Sequence, residues 1–308
     1  MRGAKLIGFG ASLPEKILTN ADLEGLMDTT DEWVTERTGI RQRHVGGTTS
    51  GLAIEAAAEA IESAGCNPSD IDLLLLATTS PDQTCPGTAP TVQAELGLTC
   101  GAVDLQAACS GWVYGLVTAH SFVQQGMDNI LIVGAESLSR ITDYTQRDTG
   151  ILFGDGAGAG VLQACDGPGE LLAWELGSDG TGRHALYADP GQMLVMDGKE
   201  VFRRAVRIVV DTAKRTLDKA GLTVDDVDLV IPHQANVRII EAANKRLGLS
   251  MDDTVIILDR TGNTSAATIP LCIHDALAND RIHDGDIVLL LGFGAGMTWA
   301  SAALRWGG

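Results

Sequence analysis

The second half of this 308-residue chain repeats the pattern of its first, and a repeat that long decides what kind of body the chain can build. Glu62-Ser-Ala-Gly-Cys-Asn-Pro-Ser-Asp-Ile-Asp-Leu-Leu74 is echoed by Asp218-Lys-Ala-Gly-Leu-Thr-Val-Asp-Asp-Val-Asp-Leu-Val230. Glu95-Leu-Gly-Leu98 is echoed by Arg246-Leu-Gly-Leu249, and Gly126-Met-Asp-Asn-Ile-Leu-Ile-Val-Gly134 by His283-Asp-Gly-Asp-Ile-Val-Leu-Leu-Leu-Gly292. The three matches keep their order, and each is shifted by about half the chain. We therefore expect two related halves, residues 1–165 and 166–308.

Within each half, helical periodicity alternates with short apolar runs: 71–77, 130–133, 227–231 and 287–291. Runs of that length between helices read as buried strands joined by crossovers, so the fold class is α/β. Two similar sheets with helices between and outside them would give a five-layered α/β/α/β/α body. Open α/β sheets place their sites beyond the C-terminal ends of strands. Three polar segments follow strands here: Asp104-Leu-Gln-Ala-Ala-Cys-Ser-Gly-Trp112, Ile231-Pro-His-Gln-Ala-Asn-Val-Arg238 and Thr261-Gly-Asn-Thr-Ser265. The first half thus offers Cys109, and the second offers His233 and Asn263. Cys109 stands where an apolar run ends and a predicted helix over 111–125 begins. Free N–H groups at a helix start favour negative charge, and such sites lower a thiol from about 8.5 to roughly 3.5–7.5. From sequence, Cys109 is expected to be a thiolate.

The chain carries a net charge of −18, which argues against nucleic acid as a partner. Ten of its 22 Lys and Arg residues nonetheless fall between Lys199 and Arg246, enough for one basic face. Its six Cys residues form no C-x-x-C pair or ligand ladder, so neither a zinc site nor a disulfide framework is expected. No stretch is long and apolar enough to span a membrane, and Met1-Arg-Gly-Ala-Lys-Leu-Ile lacks the apolar core of a secretory signal. A cytoplasmic protein is expected.

Six motifs in order then carry a resemblance: 31–41 (Asp-Glu-Trp-Val-Thr-Glu-Arg-Thr-Gly-Ile-Arg), Ala107-Ala-Cys-Ser-Gly111, Phe153-Gly-Asp-Gly-Ala157, Pro232-His-Gln-Ala-Asn-Val-Arg238, Gly262-Asn-Thr-Ser-Ala266 and Gly292-Phe-Gly-Ala-Gly296. Over nearly its whole length the chain resembles the thiolase superfamily, and within it the β-ketoacyl-[acyl carrier protein] synthase III family, which starts type II fatty acid synthesis. The resemblance implies decarboxylative condensation of an acyl-CoA with malonyl-acyl carrier protein. It assigns Cys109 as the acyl-accepting nucleophile and His233 and Asn263 as donors to the enolate formed on decarboxylation. It also implies an oxyanion hole from the backbone N–H groups of Cys109 and Ala295.

By the same resemblance, CoA would hold its adenine between Trp33 and Arg147, with Thr29 and Arg37 nearby. The carrier protein would dock on Gln234, Arg238, Lys245 and Arg246, with Arg203 beside them. The family implies a homodimer whose partner closes the acyl pocket, at a position matched here by Cys85; a small residue there predicts room for primers longer than acetyl, or branched. No metal and no cofactor beyond the CoA thioester substrate are implied. Two rival readings are a starter-unit condensing enzyme or acyltransferase of secondary metabolism, and a non-catalytic acyl-binding pseudo-synthase. Incubation with radiolabelled acyl-CoA separates them: the condensing reading expects label on Cys109 that malonyl-acyl carrier protein converts to product, whereas label that stays on the protein would favour acyl binding or transfer.

Overall fold

The computed structural model describes residues 2–307. The first half supplies β1 (Arg2–Ser12), β2 (Leu73–Ala77), β3 (Gly101–Leu105), β4 (Asn129–Glu136) and β5 (Gly156–Asp166), in the order β1-β5-β4-β2-β3. The second supplies β6 (Leu171–Ser178), β7 (Leu229–Pro232), β8 (Ile287–Gly294) and β9 (Thr298–Arg305), in the order β7-β8-β9-β6. Taken from the other edge, β6-β9-β8-β7 reproduces β1-β5-β4-β2, with the same parallel pairing of β2 to β4 and of β7 to β8. The duplication is therefore one of topology as well as sequence.

The repeat fails in one place. The partner expected for β3 shrinks to a single bridge between Val230 and Thr254. The division between halves lies between Asp166 and Leu171, so the expected cut after residue 165 falls one residue inside β5.

The principal helices are α1 (Asp31–Thr38), α2 (Thr49–Ser63), α3 (Ala89–Glu95), α4 (Gly111–Gln124), α5 (Gly198–Ala220), α6 (Val237–Leu247) and α7 (Thr268–Ala278). Their layers follow from their faces. Every residue of α7 from Thr268 to Ile273 is buried, and α4 buries Trp112, Val113, Leu116, Ala119 and Val123. Helices apolar on most sides belong inside. Accordingly α4 and α7 share one core with the inner faces of both sheets, through Leu75, Ile130 and Ile132 on one side and Val288, Leu290 and Ala302 on the other.

By contrast, α5 and α6 are amphipathic and cover the outer face of the second sheet, while α2 and α3 cover that of the first. Asp197 starts α5 by accepting from the Lys199 and Glu200 N–H groups, and Gly221 ends it in the left-handed conformation at φ 70°. The result is the expected α/β/α/β/α sandwich. Among the described residues no helix is long and apolar enough to cross a membrane.

Glu170, in the link between the halves, ties both chain ends down. Its carboxylate accepts from the Leu6 N–H at 2.9 Å and the Gly307 N–H at 3.0 Å, and its own N–H donates to the Ala4 carbonyl at 2.9 Å. Burial pushes this carboxyl up to about 7, the two N–H bonds opposing it. A carboxyl raised on folding weakens the fold as pH climbs from its unfolded value near 4.5 through 7, by roughly 3 kcal/mol in all. Glu170→Gln is therefore expected to narrow the loss of thermal stability between pH 5 and pH 8, and parallel melting curves for the two proteins would refute this.

Candidate functional site

Cys109 lies in a short turn, Ala108–Ser110, between β3 and α4, and the turn Ser265–Ala267 stands in the equivalent place before α7. The two turns pack on each other. Each contains a non-glycine residue in the left-handed region, Ala108 at φ 49° and Ser265 at φ 48°. Such strain persists only where the surroundings enforce it. Here they do: the end of β8 runs so close that a Cβ on Gly294 would lie 2.6 Å from the Cys109 nitrogen.

Cys109 opens onto a cavity of about 340 Å³ whose walls include Thr79, Leu138, Phe153, Leu194, Ser265 and Ala295. Part of the cover comes from a two-stranded ribbon, Leu186–Tyr187 paired with Val195–Met196. The cavity is mostly apolar and the thiol is buried. Burial changes the expected chemistry of the sulfur. It pushes the Cys109 thiol up to about 12, and although a hydrogen bond with Ser265 pulls down, the nearby Glu136 adds to the rise. The expectation of a resting thiolate is corrected: the helix start is present, but desolvation outweighs it.

His233 follows β7 and Asn263 follows the short helix Leu258–Thr261. Both are buried, and neither lines the cavity or a second opening, though each adjoins residues of that opening. The Asn263 N–H donates to the Leu152 carbonyl at 2.8 Å, and Leu152 and Ala235, two residues after His233, both line that opening. The Asn263 side-chain oxygen accepts from the Ser265 N–H at 2.9 Å, which leaves its amide hydrogens as the free end. His233 is held by its N–H to the Leu291 carbonyl at 2.7 Å and by the edge of Phe293, ring centres 5.5 Å apart. Burial pushes its imidazolium down to about 3, so it is a neutral ring. Its Nδ1 has no partner among the described residues.

The second opening is a cleft of about 860 Å³ that brings together Trp33, Arg37, Arg147, Lys199, Phe202 and Arg238. Trp33 is half-buried on α1, whose N-cap Thr30 accepts from the Trp33 N–H at 3.1 Å. The Arg147 guanidinium lies 4.7 Å over the Trp33 ring and Arg37 lies 5.3 Å from it. A base cannot enter between Trp33 and Arg147 at that spacing, so a clamp there requires Arg147 to swing aside. Thr29 does not line the cleft, and its hydroxyl is buried without a partner among the described residues.

From the cleft at Arg238, α6 continues with Lys245 and Arg246 also exposed, and the exposed Arg203 on the adjacent α5 is paired with Glu200 at 2.7 Å. Gln234 does not join them. It is fully buried; its amide donates to the Val255 carbonyl at 2.6 Å and its oxygen accepts from Ile257 and Leu258 at 3.0 and 2.9 Å. Those are the ladder bonds that the missing counterpart of β3 would have made. The carrier-docking expectation for Gln234 is corrected on that ground, since no polar atom is left to face outward.

Cys85 is exposed and lines no part of the cavity within one chain. Sequence reading passed over Thr79, Ser265 and Glu136. Ser265 stood inside a quoted motif, and Glu136 was signalled only by an acid placed directly after an apolar strand.

Comparison with known proteins adds identity to this geometry. Residues 103–180 match the family described as 3-oxoacyl-[acyl-carrier-protein (ACP)] synthase III, and residues 217–306 match its C-terminal counterpart. The chain is 49% identical over 310 residues to the β-ketoacyl-[acyl-carrier-protein] synthase III of Geobacillus kaustophilus, with 99% of each covered. It is 47% identical over 307 residues to a synthase III of Bacillus anthracis, with 98% of each covered. Among solved structures, the 3-oxoacyl-[acyl-carrier-protein] synthase III of Aquifex aeolicus superposes with a TM-score of 0.97 at 42% identity, covering 99% of this chain and 100% of that one. The priming β-ketosynthase of the R1128 polyketide pathway superposes at 0.94 and 35% identity, covering 99% and 96%.

The burial of Gln234 has a direct consequence. Gln234→Ala strands three buried backbone groups, each worth about 1–3 kcal/mol. Urea unfolding should show a loss of at least about 3 kcal/mol; a stable variant impaired only in carrier-protein binding would restore the docking role.

Proposed function

The chain belongs to the 3-oxoacyl-[acyl-carrier-protein] synthase III family, and from that premise we infer that Cys109, His233 and Asn263 carry its reaction. The protein is a condensing enzyme that joins an acyl-CoA to malonyl-acyl carrier protein and so initiates fatty acid synthesis. One observation carries the residue assignment: a buried thiol opens onto an apolar cavity, and the Ser265 turn packed against the thiol's own turn fixes the Asn263 side chain.

In this reading CoA enters by the cleft. Cys109 sulfur attacks the thioester carbonyl, and the thiol proton leaves with the departing CoA sulfur. The acyl group then occupies the apolar cavity. Malonyl-acyl carrier protein follows, guided by Arg238, Lys245 and Arg246, whose attraction for an acidic partner weakens with salt. As carbon dioxide departs, negative charge collects on the thioester oxygen. A neutral His233 ring N–H and the Asn263 amide, fixed by Ser265, suit that oxygen as donors. The carbanion attacks the acyl-Cys109 carbonyl, whose oxygen would be received by the N–H groups of Cys109 and Ala295; collapse breaks the bond to the Cys109 sulfur, which takes a proton from water, and releases the β-ketoacyl-acyl carrier protein. No cofactor is invoked at any step.

We also propose a homodimer. Strand β3 is an edge of its sheet, and Val103 on it is 49% exposed. Asp104 of the same strand accepts from the Thr88 and Ala89 N–H groups at 2.7 and 2.6 Å, tying the segment that carries Cys85 to this edge. Pairing of two β3 edges would carry each Cys85 toward the other chain, in support of a roomy acyl pocket closed by a small residue. Six free thiols suit the proposed cytoplasmic setting. The polyketide priming enzyme is 35% identical to this chain, against 42% and 49% for the Aquifex aeolicus and Geobacillus kaustophilus synthase III proteins.

Asn263→Ala tests the division of roles. Loss of one fixed donor is expected to lower condensation by about 10²–10³ while leaving transfer of the acyl group to Cys109 intact. Single-turnover assays with a panel of acyl-CoAs would read both, and equal losses in both steps, or acetyl-CoA outcompeting every longer primer, would count against the scheme.

A further inference from the structure

Behind the acyl cavity lies a carboxylate that the reaction scheme does not use. Glu136 ends β4, is completely buried, and has neither Lys nor Arg as a partner. It is surrounded by donors. The Thr79 and Ser80 N–H groups each reach it at 3.1 Å, and the hydroxyls of Thr78, Thr79 and Ser80 at 3.2, 3.0 and 2.6 Å. The Ser80 hydroxyl accepts from the Ser137 N–H at 2.8 Å, which turns its own hydrogen toward Glu136.

These donors belong to the loop after β2, but two more come from the second half. The Ala266 N–H donates to Glu136 at 3.4 Å, and the Ser265 hydroxyl also hydrogen-bonds it. Ser265 bonds the Cys109 thiol as well, and its N–H is the group that fixes the Asn263 amide. A single buried carboxylate is thus joined to the cavity wall at Thr79, to the nucleophile through Ser265, and to the turn that aims Asn263.

We propose that Glu136 is a positioning residue of the condensing site, holding the Thr79 wall and the Asn263–Ser265 turn in register across the two halves. It touches no substrate and acts through the residues it holds. A neutral side chain could not accept from so many donors at once, because an amide would present two hydrogens to them. The charge has a second effect. It faces the thiol from the end of β4 and disfavours the thiolate, while His233, the other titratable side chain of the site, is neutral and offers no compensating charge. Positioning and charge therefore act in opposite directions on the thiol and on turnover, and that opposition makes the role testable.

The inference rests on Cys109 being the nucleophile, and mapping by mass spectrometry the residue that acyl-CoA acylates in the wild-type protein checks that first: an acylated residue other than Cys109 overturns the residue assignment, not the role of Glu136. In folded Glu136→Gln, removal of the charge should shift the pH profile of Cys109 alkylation to lower pH by about one unit, close to tenfold faster at a fixed neutral pH. Its condensation kcat should fall at least about tenfold, because the turn and wall are released. Glu136→Asp keeps the charge but shortens the reach; it should retain the wild-type alkylation profile and still lose kcat.

An unshifted profile or an unchanged kcat in Glu136→Gln overturns the proposal, and slower alkylation would make Glu136 a base instead. Should that variant not fold, Thr78→Val, which withdraws one hydroxyl from the same carboxylate at a position that does not line the cavity, must lower kcat several-fold with KM for acyl-CoA unchanged. An unaltered kcat there overturns it equally.

Discussion

Two bare strand ends pressed against two turns hold the site together. The end of β8 lies on the Cys109 turn, where a Cβ on Gly292 would come within 3.0 Å of the Ser110 Cα and one on Gly294 within 2.6 Å of the Cys109 nitrogen. Reciprocally, the end of β4 lies on the turn before α7, where a Cβ on Gly134 would meet the Ala266 carbonyl oxygen. Each half thereby buttresses the catalytic turn of the other. Side chains at these positions would push the halves apart, since interiors packed to crystal density have no slack to absorb them. The left-handed Ala108 and Ser265 are strained residues that this mutual pressure keeps in place.

Dryness is the second consequence of that packing. With α4 and α7 sealed between two sheets, both the sulfur and the imidazole lose their charged forms. A neutral thiol beside a neutral ring is a quiet resting state. On the reacting groups, charge arises only when a thioester is present, at which point fixed donors act in a medium of low dielectric and are worth more than in water. The outer surface has the opposite character. The chain is acidic overall, yet the cleft is lined by Arg37, Arg147, Lys199 and Arg238, so the field around the entrance differs from that of the body.

The architecture was legible because it was written twice. Matching Leu73–Leu74 with Leu229–Val230, and Gly134 with Gly292, anticipated both sheets and their inner helices, since apolar periodicity reports burial on each face. Cys109 and Ala295 line the cavity, and Trp33, Arg37, Arg147 and Arg238 line the cleft. What sequence reading lost depended on three-dimensional neighbours. Nothing local tells that the strand near Thr254 dissolves and that Gln234 turns inward to make its hydrogen bonds. Helix position alone promised a thiolate at Cys109, whereas burial decides the matter, and burial is a property of the assembled halves. Glu136 was invisible for the same reason: its partners at Thr78–Ser80 and Ala266 are far away along the chain.

The claim that the two halves divide the chemistry, nucleophile from one and enolate donors from the other, is met most directly by following carbon dioxide. Malonyl-acyl carrier protein should still be decarboxylated by a Cys109→Ala protein, which keeps His233 and Asn263 but forms no condensation product. If release of carbon dioxide stops together with condensation, the second half does not act on its own substrate and the division of labour fails.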